Sequence, residues 1–261
     1  MNEFQNELEL ARKAALAAGE ILVRHWKRRS YTVGSKGSDN PVTSADLEAD
    51  GAIKAILSPR FPDYGWLSEE TADSGDRLKC RRVWIVDPLD GTKEFIRGID
   101  EFAVAIALAE DGVPVVGVTY NPIKREMYWA ARGTGCHLGR RRVRVTRTHE
   151  LSQARILASR SEISRGEWEA LKDAVIVDPT GSVAYKLALV AAGVGDGTFT
   201  RSPKSEWDIA SGAILIAEAG GRMTDIDGKE IRFNQLLVTI HGLIASNGVL
   251  HERLAALAHR H

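Results

Sequence analysis

The chain alternates between segments with helical spacing of apolar residues and short apolar runs typical of buried strands. Residues 3–27 place apolar side chains at three- and four-residue steps, which predicts an amphipathic helix. Residues 30–42 are polar and rich in turn-forming residues, so we expect a loop there. Thr43 or Ser44 can cap a second helix, which the pattern continues to Leu57.

Strands dominate the middle of the chain. Residues 83–86 form an apolar, β-favouring run, which predicts a buried strand. Residues 102–108 and 113–120 predict the two strands of a hairpin, because Glu110-Asp111-Gly112 between them is a turn signal. Further strands are predicted at residues 64–71, 127–131 and 141–146.

The second half of the chain alternates strands and helices, which indicates an α/β arrangement. The predicted strands are residues 156–159, 175–177, 198–199 and 243–246. The predicted helices are residues 165–172, 183–192, 207–219 and 249–259. The change of character lies near residues 147–154. We therefore expect residues 1–150 to form an α+β half with an antiparallel sheet, and residues 151–261 to form an α/β half.

Composition narrows the class of protein without naming an activity. Apolar residues make up 44% and charged residues 27% of the chain, as in globular proteins generally. Lysine plus arginine equals aspartate plus glutamate at 35 each, so net charge favours neither a nucleic-acid polymer nor a membrane as partner. Cys80 and Cys136 are far apart and show no metal-ligand spacing, which fits a reducing compartment. With no apolar leader segment visible, we expect a cytoplasmic protein.

Candidate chemistry begins directly after the predicted strand 83–86, in the hexapeptide Asp87-Pro88-Leu89-Asp90-Gly91-Thr92. Pro88 should end the strand ladder, Gly91 permits a tight bend, and Thr92 can cap a helix or turn. These residues also occur in ordinary polar turns. Two facing carboxylates repel each other unless a cation joins them, however, and hard divalent cations prefer oxygen ligands. The hexapeptide therefore predicts a metal site.

Three other acidic segments accompany the hexapeptide. Asp46 falls in the first turn of the second helix, where the helix dipole alone would favour a carboxylate. Glu69 and Glu70 follow a predicted strand, and because side chains alternate along a strand, at most one of them can face a site. Asp208, in Glu206-Trp207-Asp208, opens the helix that ends before Gly220-Gly221.

The order and spacing of these acidic segments resemble the inositol monophosphatase-like superfamily of metal-dependent, lithium-sensitive phosphomonoesterases. The resemblance extends from the first helix to Gly220-Gly221. It implies the layered αβαβα sandwich of the inositol monophosphatase and fructose-1,6-bisphosphatase type, within the α+β and α/β classes. It also implies two to three Mg²⁺ ions per site, a small phosphate ester as substrate, and a homodimer.

The resemblance also implies roles for individual residues. The metal ligands would be Glu69, Asp87, the Leu89 carbonyl, Asp90 and Asp208. The residues that orient and activate the attacking water would be Glu69, Asp46 and Thr92. Phosphate oxygens would meet the amide groups of Gly91 and Thr92. Five converging carboxylates would repel each other strongly without cations, so physical chemistry also favours metal as part of the site.

The residues leave the substrate open between two branches of the superfamily. Inositol monophosphatases usually have Asp-Gly-Thr-Thr-Asn-Phe where this chain has Asp90-Gly91-Thr92-Lys93-Glu94-Phe95, which is similar to the 3′(2′),5′-bisphosphate nucleotidase branch. Seven positions before Asp208 stands Arg201, where the inositol enzymes carry an acid. The candidate substrate-binding residues are Gly91, Thr92, Gly181, Ser182, Lys186, Arg201 and Asp208. Lys186 and Arg201 are either ligands of a second phosphate or ordinary solvated charges.

Three functions follow from these observations. The first is magnesium-dependent hydrolysis of the 3′-phosphate of adenosine 3′,5′-bisphosphate or its sulfated relative. The second is an inositol monophosphatase or related sugar monophosphatase. The third, of a different class, is a metal-binding interaction protein without catalytic activity.

Overall fold

The structure, a computed structural model, describes residues 3–35, 37 and 41–259. The α-helices are, in chain order, α1 (Gln5–Arg28), α2 (Ser44–Leu57), α3 (Thr92–Arg97), α4 (Arg160–Ser164), α5 (Val183–Ala191), α6 (Glu206–Glu218) and α7 (His251–Ala258). The first nine strands are β1 (Val33–Ser35), β2 (Pro41–Thr43), β3 (Gly65–Ser68), β4 (Arg82–Asp90), β5 (Ala103–Glu110), β6 (Val113–Asn121), β7 (Glu126–Ala131), β8 (Cys136–Leu138) and β9 (Arg141–Val143). The others are β10 (Arg155–Ala158), β11 (Ile176–Pro179), β12 (Gly197–Thr200), β13 (Lys204–Ser205), β14 (Arg222–Asp225), β15 (Thr239–Ile240) and β16 (Leu243–Ser246).

The larger sheet contains seven strands in the order β3-β4-β5-β6-β7-β8-β9. β3 pairs parallel with β4, whereas each later pair is antiparallel. α1 and α2 cover one face, because the apolar stripe of α1, which includes Leu8 and Leu22, is buried against the sheet. The predicted helix at residues 3–27 is confirmed.

The predicted hairpin forms as β5 and β6. Its turn residues Asp111 and Gly112 have φ of 51° and 78°, a left-handed pair that matches the twist of the flanking strands. β4 and β5 are buried along nearly their whole length, so the centre of this sheet is covered on both faces.

The second sheet contains five strands in the order β11-β10-β12-β16-β14, with β10 parallel to β11 and β12. α5 and α6 lie between the two sheets, and α7 packs on the outer face of the second one. The layers therefore follow the order α, β, α, β, α. The predicted α+β layered sandwich is confirmed.

Some predicted elements are wrong. The helix expected at 165–172 is replaced by α4 and a single 3₁₀ turn at Glu169–Leu171, because Gly166 between them has a φ of 79°. The arginine-rich strand expected at 141–146 ends at Val143. The loop expected at 30–42 instead contains the paired strands β1 and β2. The other residues of that loop, including Lys36, lie partly outside the described residues.

No helix in the described part of the chain is both long and apolar enough to cross a membrane. The division into residues 1–150 and 151–261 stays a prediction. β9 and β10 belong to different sheets on either side of it, but α6 from the second half packs on β4, β5 and β6 of the first.

Candidate active site

The end of β4 brings acidic residues to one edge of the larger sheet. Because β3 and β4 run parallel, with Ser68 paired to Val86, Glu69 leaves β3 beside Asp87. The ladder between β4 and β5 is irregular between Asp87 and Asp90 and then resumes. The prediction that the strand ends at Pro88 is wrong: the backbone bulges there, and a bulge can redirect side chains at a site.

Three carboxylates meet at this edge. One oxygen from each of Asp87, Asp90 and Asp208 lies within 4.8 Å of the others. Burial, followed by the negative charge of Glu69, raises the pKa of Asp87 well above its usual range. Burial also raises the pKa of Asp90 to about 6 and, together with the charge of Asp90, that of Asp208 to about 7. Such a cluster is unfavourable in its ionised form unless a cation is bound.

Backbone and hydroxyl donors hold these carboxylates in place. Asp90 Oδ2 accepts hydrogen bonds from Ser182 Oγ and Ala184 N, both at 2.5 Å. Asp87 Oδ1 accepts from Leu89 N at 2.9 Å. Asp208 Oδ2 accepts from Ser205 N at 2.8 Å, as part of a capping box at the start of α6. In each case these bonds use one oxygen, and the second oxygen of the same carboxylate is left for a cation.

Thr92 begins α3 beside the cluster. It is the first residue of the helix rather than its cap, since the cap position belongs to Gly91 with a φ of 97°. The Thr92 hydroxyl lies 3.1 Å from Asp46 Oδ1 and 3.1 Å from the Leu89 carbonyl oxygen. The other oxygen of Asp46 accepts from Thr43 N and Oγ1 at 2.8 and 2.6 Å. Burial raises the pKa of Asp46 despite these bonds.

A cavity of about 250 Å³ opens onto the carboxylates. It brings together most of the predicted site residues: Glu69, Asp87, Leu89, Asp90, Gly91, Thr92, Gly181, Ser182 and Asp208. Asp46 lies behind Thr92 and does not line it. The candidate ligands in the cluster are carboxylate and carbonyl oxygens, and the described residues that line the cavity include no His or Cys, a set that fits magnesium better than a soft metal.

Comparison with known proteins agrees with this geometry. The model of the inositol monophosphatase family matches residues 3–261. The chain belongs to the inositol monophosphatase family. It is 38% identical over 252 residues to the inositol-1-monophosphatase of Mesorhizobium japonicum, which covers 93% of this chain and 92% of that protein.

Two further relatives support the assignment. The Nus factor SuhB of Xylella fastidiosa is 35% identical over 227 residues, covering 84% of this chain and 81% of that one. The crystal structure of extragenic suppressor protein SuhB from Bartonella henselae superposes with a TM-score of 0.88 at 33% identity, covering 98% and 99% of the two chains. The protein is therefore a phosphatase of the inositol monophosphatase family, and members of this family are generally magnesium-dependent.

Two predicted substrate residues of this family member do not line the cavity. Lys186 is only 2% exposed, and its Nζ lies 2.5 Å from Ser159 Oγ. Burial lowers its pKa. Since Ser159 does line the cavity, Lys186 lies behind the cavity wall, and its contact with a substrate stays a prediction.

Arg201 is directed elsewhere. Its Nε donates to the Ala258 carbonyl at 2.7 Å, and its guanidinium carbon lies 5.8 Å from the centre of the Phe199 ring. The side chain thus leaves the end of β12 towards α7, on the outer side of the second sheet. Arg201 does not line the cavity, and its contact with a substrate phosphate stays a prediction.

The cavity also contains residues that the sequence reasoning missed. Lys204 lies on its wall, four positions before Asp208, and Arg97 contributes from α3. Ser159 and Ser161 line it just after β10. Ser159 ends the predicted strand at residues 156–159 and Ser161 follows it. Ligands of α/β sheets bind beyond the carboxyl ends of strands, so this signal could have found both serines.

Proposed function

We propose that the protein hydrolyses the 3′-phosphate of adenosine 3′,5′-bisphosphate, or of its sulfated relative, with magnesium. The observation that carries the proposal is the charge of the cavity wall. Beside the carboxylate cluster it presents three basic side chains: Lys93, Arg97 and Lys204. A substrate with a second phosphate gains from these cations, whereas a neutral polyol ring does not.

The proposal assigns the metal to five ligands, namely Glu69, Asp87, the Leu89 carbonyl, Asp90 and Asp208, for two to three ions. Magnesium, when bound, would lower the pKa of a water molecule bound to it and neutralise charge on the phosphate. Thr92, held against Asp46, accepts a hydrogen bond from the attacking water and orients it. The amide groups of Gly91 and Thr92, which line the cavity, receive phosphate oxygens. A homodimer and inhibition by lithium stay predictions from the family.

An inositol monophosphatase is the second candidate. The Mesorhizobium relative is named an inositol-1-monophosphatase, and the Xylella relative is named Nus factor SuhB. Neither name describes a nucleotidase. The bond from Arg201 to the Ala258 carbonyl gives no support to one of the two sequence arguments for a bisphosphate. The remaining one is Lys93-Glu94, and both of these residues line the cavity.

Hydrolysis of the two esters, measured side by side with magnesium, tests the proposal. We expect kcat/KM for adenosine 3′,5′-bisphosphate to exceed that for inositol 1-phosphate. Equal or faster turnover of the inositol ester would establish the second candidate. If no monoester is hydrolysed, the chain is a metal-binding protein of another kind.

Lys204→Ala should raise KM for the bisphosphate nucleotide about tenfold or more, because a charge-assisted hydrogen bond to phosphate is lost. KM for inositol 1-phosphate should change much less. Arg201→Ala is the matched control, because its guanidinium is bonded to Ala258 and lies outside the cavity wall. Equal effects of Lys204→Ala on both substrates would show that Lys204 does not read a second phosphate.

Thr92→Val should lower kcat about 100-fold, the scale of a lost acid–base contribution. Valine keeps the branched shape but cannot accept a hydrogen bond from water or donate one to Asp46. Thr92→Ser keeps the hydroxyl and should retain most of the activity. Wild-type kcat in Thr92→Val would remove Thr92 from the proposed mechanism.

A further inference from the structure

A buried polar network is bonded to the start of α6, the helix that carries Asp208, and takes no part in the roles assigned so far. Its first member, Glu206, is fully buried at 0% exposure and begins α6, two positions before Asp208. Both of its carboxylate oxygens are used: Oε2 accepts from Asn234 N at 2.6 Å, and Oε1 accepts from Gln235 N at 2.8 Å. The start of α6 is thus bound to the segment around residues 234 and 235.

The same segment is held from its other side by Arg77, which is 3% exposed. Its Nη1 donates to Asn234 Oδ1 at 2.7 Å, and its Nη2 donates to the Gln235 carbonyl at 3.0 Å. Asn234 Nδ2 returns a bond to the Arg77 carbonyl at 3.1 Å. The Asp73 carboxylate accepts from Arg77 Nε and Nη2 at 3.0 and 2.9 Å, which fixes the plane of the guanidinium.

Arg77 belongs to the connection between β3 and β4, the two strands that deliver Glu69 and Asp87. It packs directly on the start of these strands: a Cβ at Gly65 would lie 2.9 Å from Arg77 Cβ and 3.0 Å from Val83 Cγ2. One end of the network is therefore anchored to the strands of the larger sheet. The other end is anchored to the helix that carries Asp208.

The cluster needs such a brace because its carboxylates repel each other. One oxygen from each of Asp87, Asp90 and Asp208 lies within 4.8 Å of the others, a distance at which like charges repel each other. Without an opposing force, this repulsion would favour movement of the first turn of α6 away from β4. Bonds that keep ligands at the correct separation before the metal arrives increase its affinity.

We infer that Arg77, Asn234 and Glu206 are positioning residues for the metal site. They hold Asp208 at a fixed separation from Glu69, Asp87 and Asp90, although none of them lines the cavity. The inference rests on the metal site of the proposed function and is independent of the choice of substrate.

Arg77→Lys tests the inference, because lysine keeps the charge but cannot bond Asp73 and Asn234 together as the planar guanidinium does. Asn234→Gly is the second variant. It keeps the left-handed backbone, with a φ of 58° at this position, and the amide group for Glu206, but removes the side-chain bonds to Arg77. Magnesium binding is measured by calorimetry and by the rise in Tm with magnesium concentration, neither of which requires turnover.

The matched control is Arg82→Lys. The Arg82 guanidinium also joins a buried network, with Glu110 Oε1 at 3.0 Å and Tyr64 Oη at 2.7 Å. Arg82 is the first residue of β4, however, and none of these partners lies on α6 or in the segment around residues 234 and 235. All three variants should lower Tm in the presence of a chelator, but only Arg77→Lys and Asn234→Gly should change the response to magnesium.

We expect Arg77→Lys to raise the Kd for magnesium by up to about tenfold, the lower end of the effect of residues that bond metal ligands directly. Asn234→Gly should raise it less and in the same direction, and it carries the test alone if Arg77→Lys does not fold. If wild type binds magnesium and both variants bind it equally well, the network only stabilises the fold and the inference is overturned. If wild type itself shows no magnesium binding, the metal site of the proposed function fails as well.

Discussion

Asp87→Asn is expected to abolish magnesium-dependent phosphate release and, in the absence of magnesium, to raise Tm. Both effects have one cause. The Asp87 carboxylate is 1% exposed and stands among Glu69, Asp90 and Asp208, whose charges make its ionised form unfavourable. Asparagine has the same shape and can still accept the hydrogen bond from Leu89 N, but it carries no charge. The metal-free protein therefore avoids the cost of either ionising or protonating this buried carboxyl, about 1 kcal/mol, and the metal loses a ligand.

Magnesium affinity should fall more than ~100-fold, since even indirect partners of metal ligands contribute up to that factor. The measurements are phosphate release and Tm, each with a chelator and over a magnesium titration. Asp111→Asn provides the matched control: it makes the same chemical change on an exposed hairpin turn, where asparagine also tolerates the φ of 51°. A lower Tm for metal-free Asp87→Asn, or a wild-type magnesium response, would contradict the assignment of Asp87.

Strong periodicity made the main elements predictable from the sequence. α1 and α2, the β5–β6 hairpin and α6 all form close to their expected bounds, because each has a long apolar pattern and a distinct capping or turn residue. The acidic segments were equally informative. Asp87, Asp90 and Asp208 would repel each other if they met without a cation, so a metal ion was expected where they converge. The structure brings their oxygens within 4.8 Å of one another.

Short or weakly patterned elements could not be predicted in the same way. β8 and β14 contain three and four residues and form only because neighbouring strands are already in place, at Tyr128–Trp129 and at β16. The false helix at 165–172 had helix-forming residues, but Gly166 adopts a left-handed conformation that ends α4 instead. Local propensity gave way to tertiary context in each case.

The substrate side of the site was the least predictable part. Arg201 and Lys186 stand at suggestive positions in the sequence, but position within a motif does not determine the direction of a long side chain. The Arg201 side chain is directed towards α7, where its Nε donates a hydrogen bond to the Ala258 carbonyl. Lys186 is buried behind Ser159, and the cations that do line the cavity include Lys204, which the motif comparison passed over.

Magnesium affinity is expected to fall steeply as pH decreases through the range below about 7. The folded-state pKa of Asp90 is raised from 3.8 to about 6 and that of Asp208 from 3.8 to about 7. In the metal-free folded protein these carboxyls therefore keep their protons at pH values where the unfolded chain has released them. Stability that derives from holding these protons is fully present below 3.8 and is lost as pH rises through 6 and 7.

Magnesium binding depends on pH in the opposite direction from this contribution to stability, because its affinity increases as pH rises. Magnesium requires ionised carboxylates and so must displace these protons, and each displaced proton costs about 1.4 kcal/mol, or a factor of ten in affinity, per pH unit below its pKa. Between pH 8 and pH 5 the combined loss in affinity should reach about 100- to 1000-fold. Asp111→Asn should follow the wild-type profile, since Asp111 lies outside the cluster.

The quantity to measure is magnesium Kd rather than Tm alone. Other carboxyls, such as Asp73 and Glu110, have a pKa lowered by hydrogen bonds from Arg77, and from Arg82 and Arg132, respectively. They make the whole protein less stable as pH falls, which opposes the trend from the cluster and would hide it in a melting curve. Calorimetry in buffers of different ionisation enthalpy should show protons released on magnesium binding near pH 6 and few at pH 8. Equal Kd values at pH 5.5 and pH 8 would mean that the pKa values of these carboxyls are not raised in the metal-free protein, and the unfavourable ionisation on which the stabilising effect of Asp87→Asn rests would then be absent too.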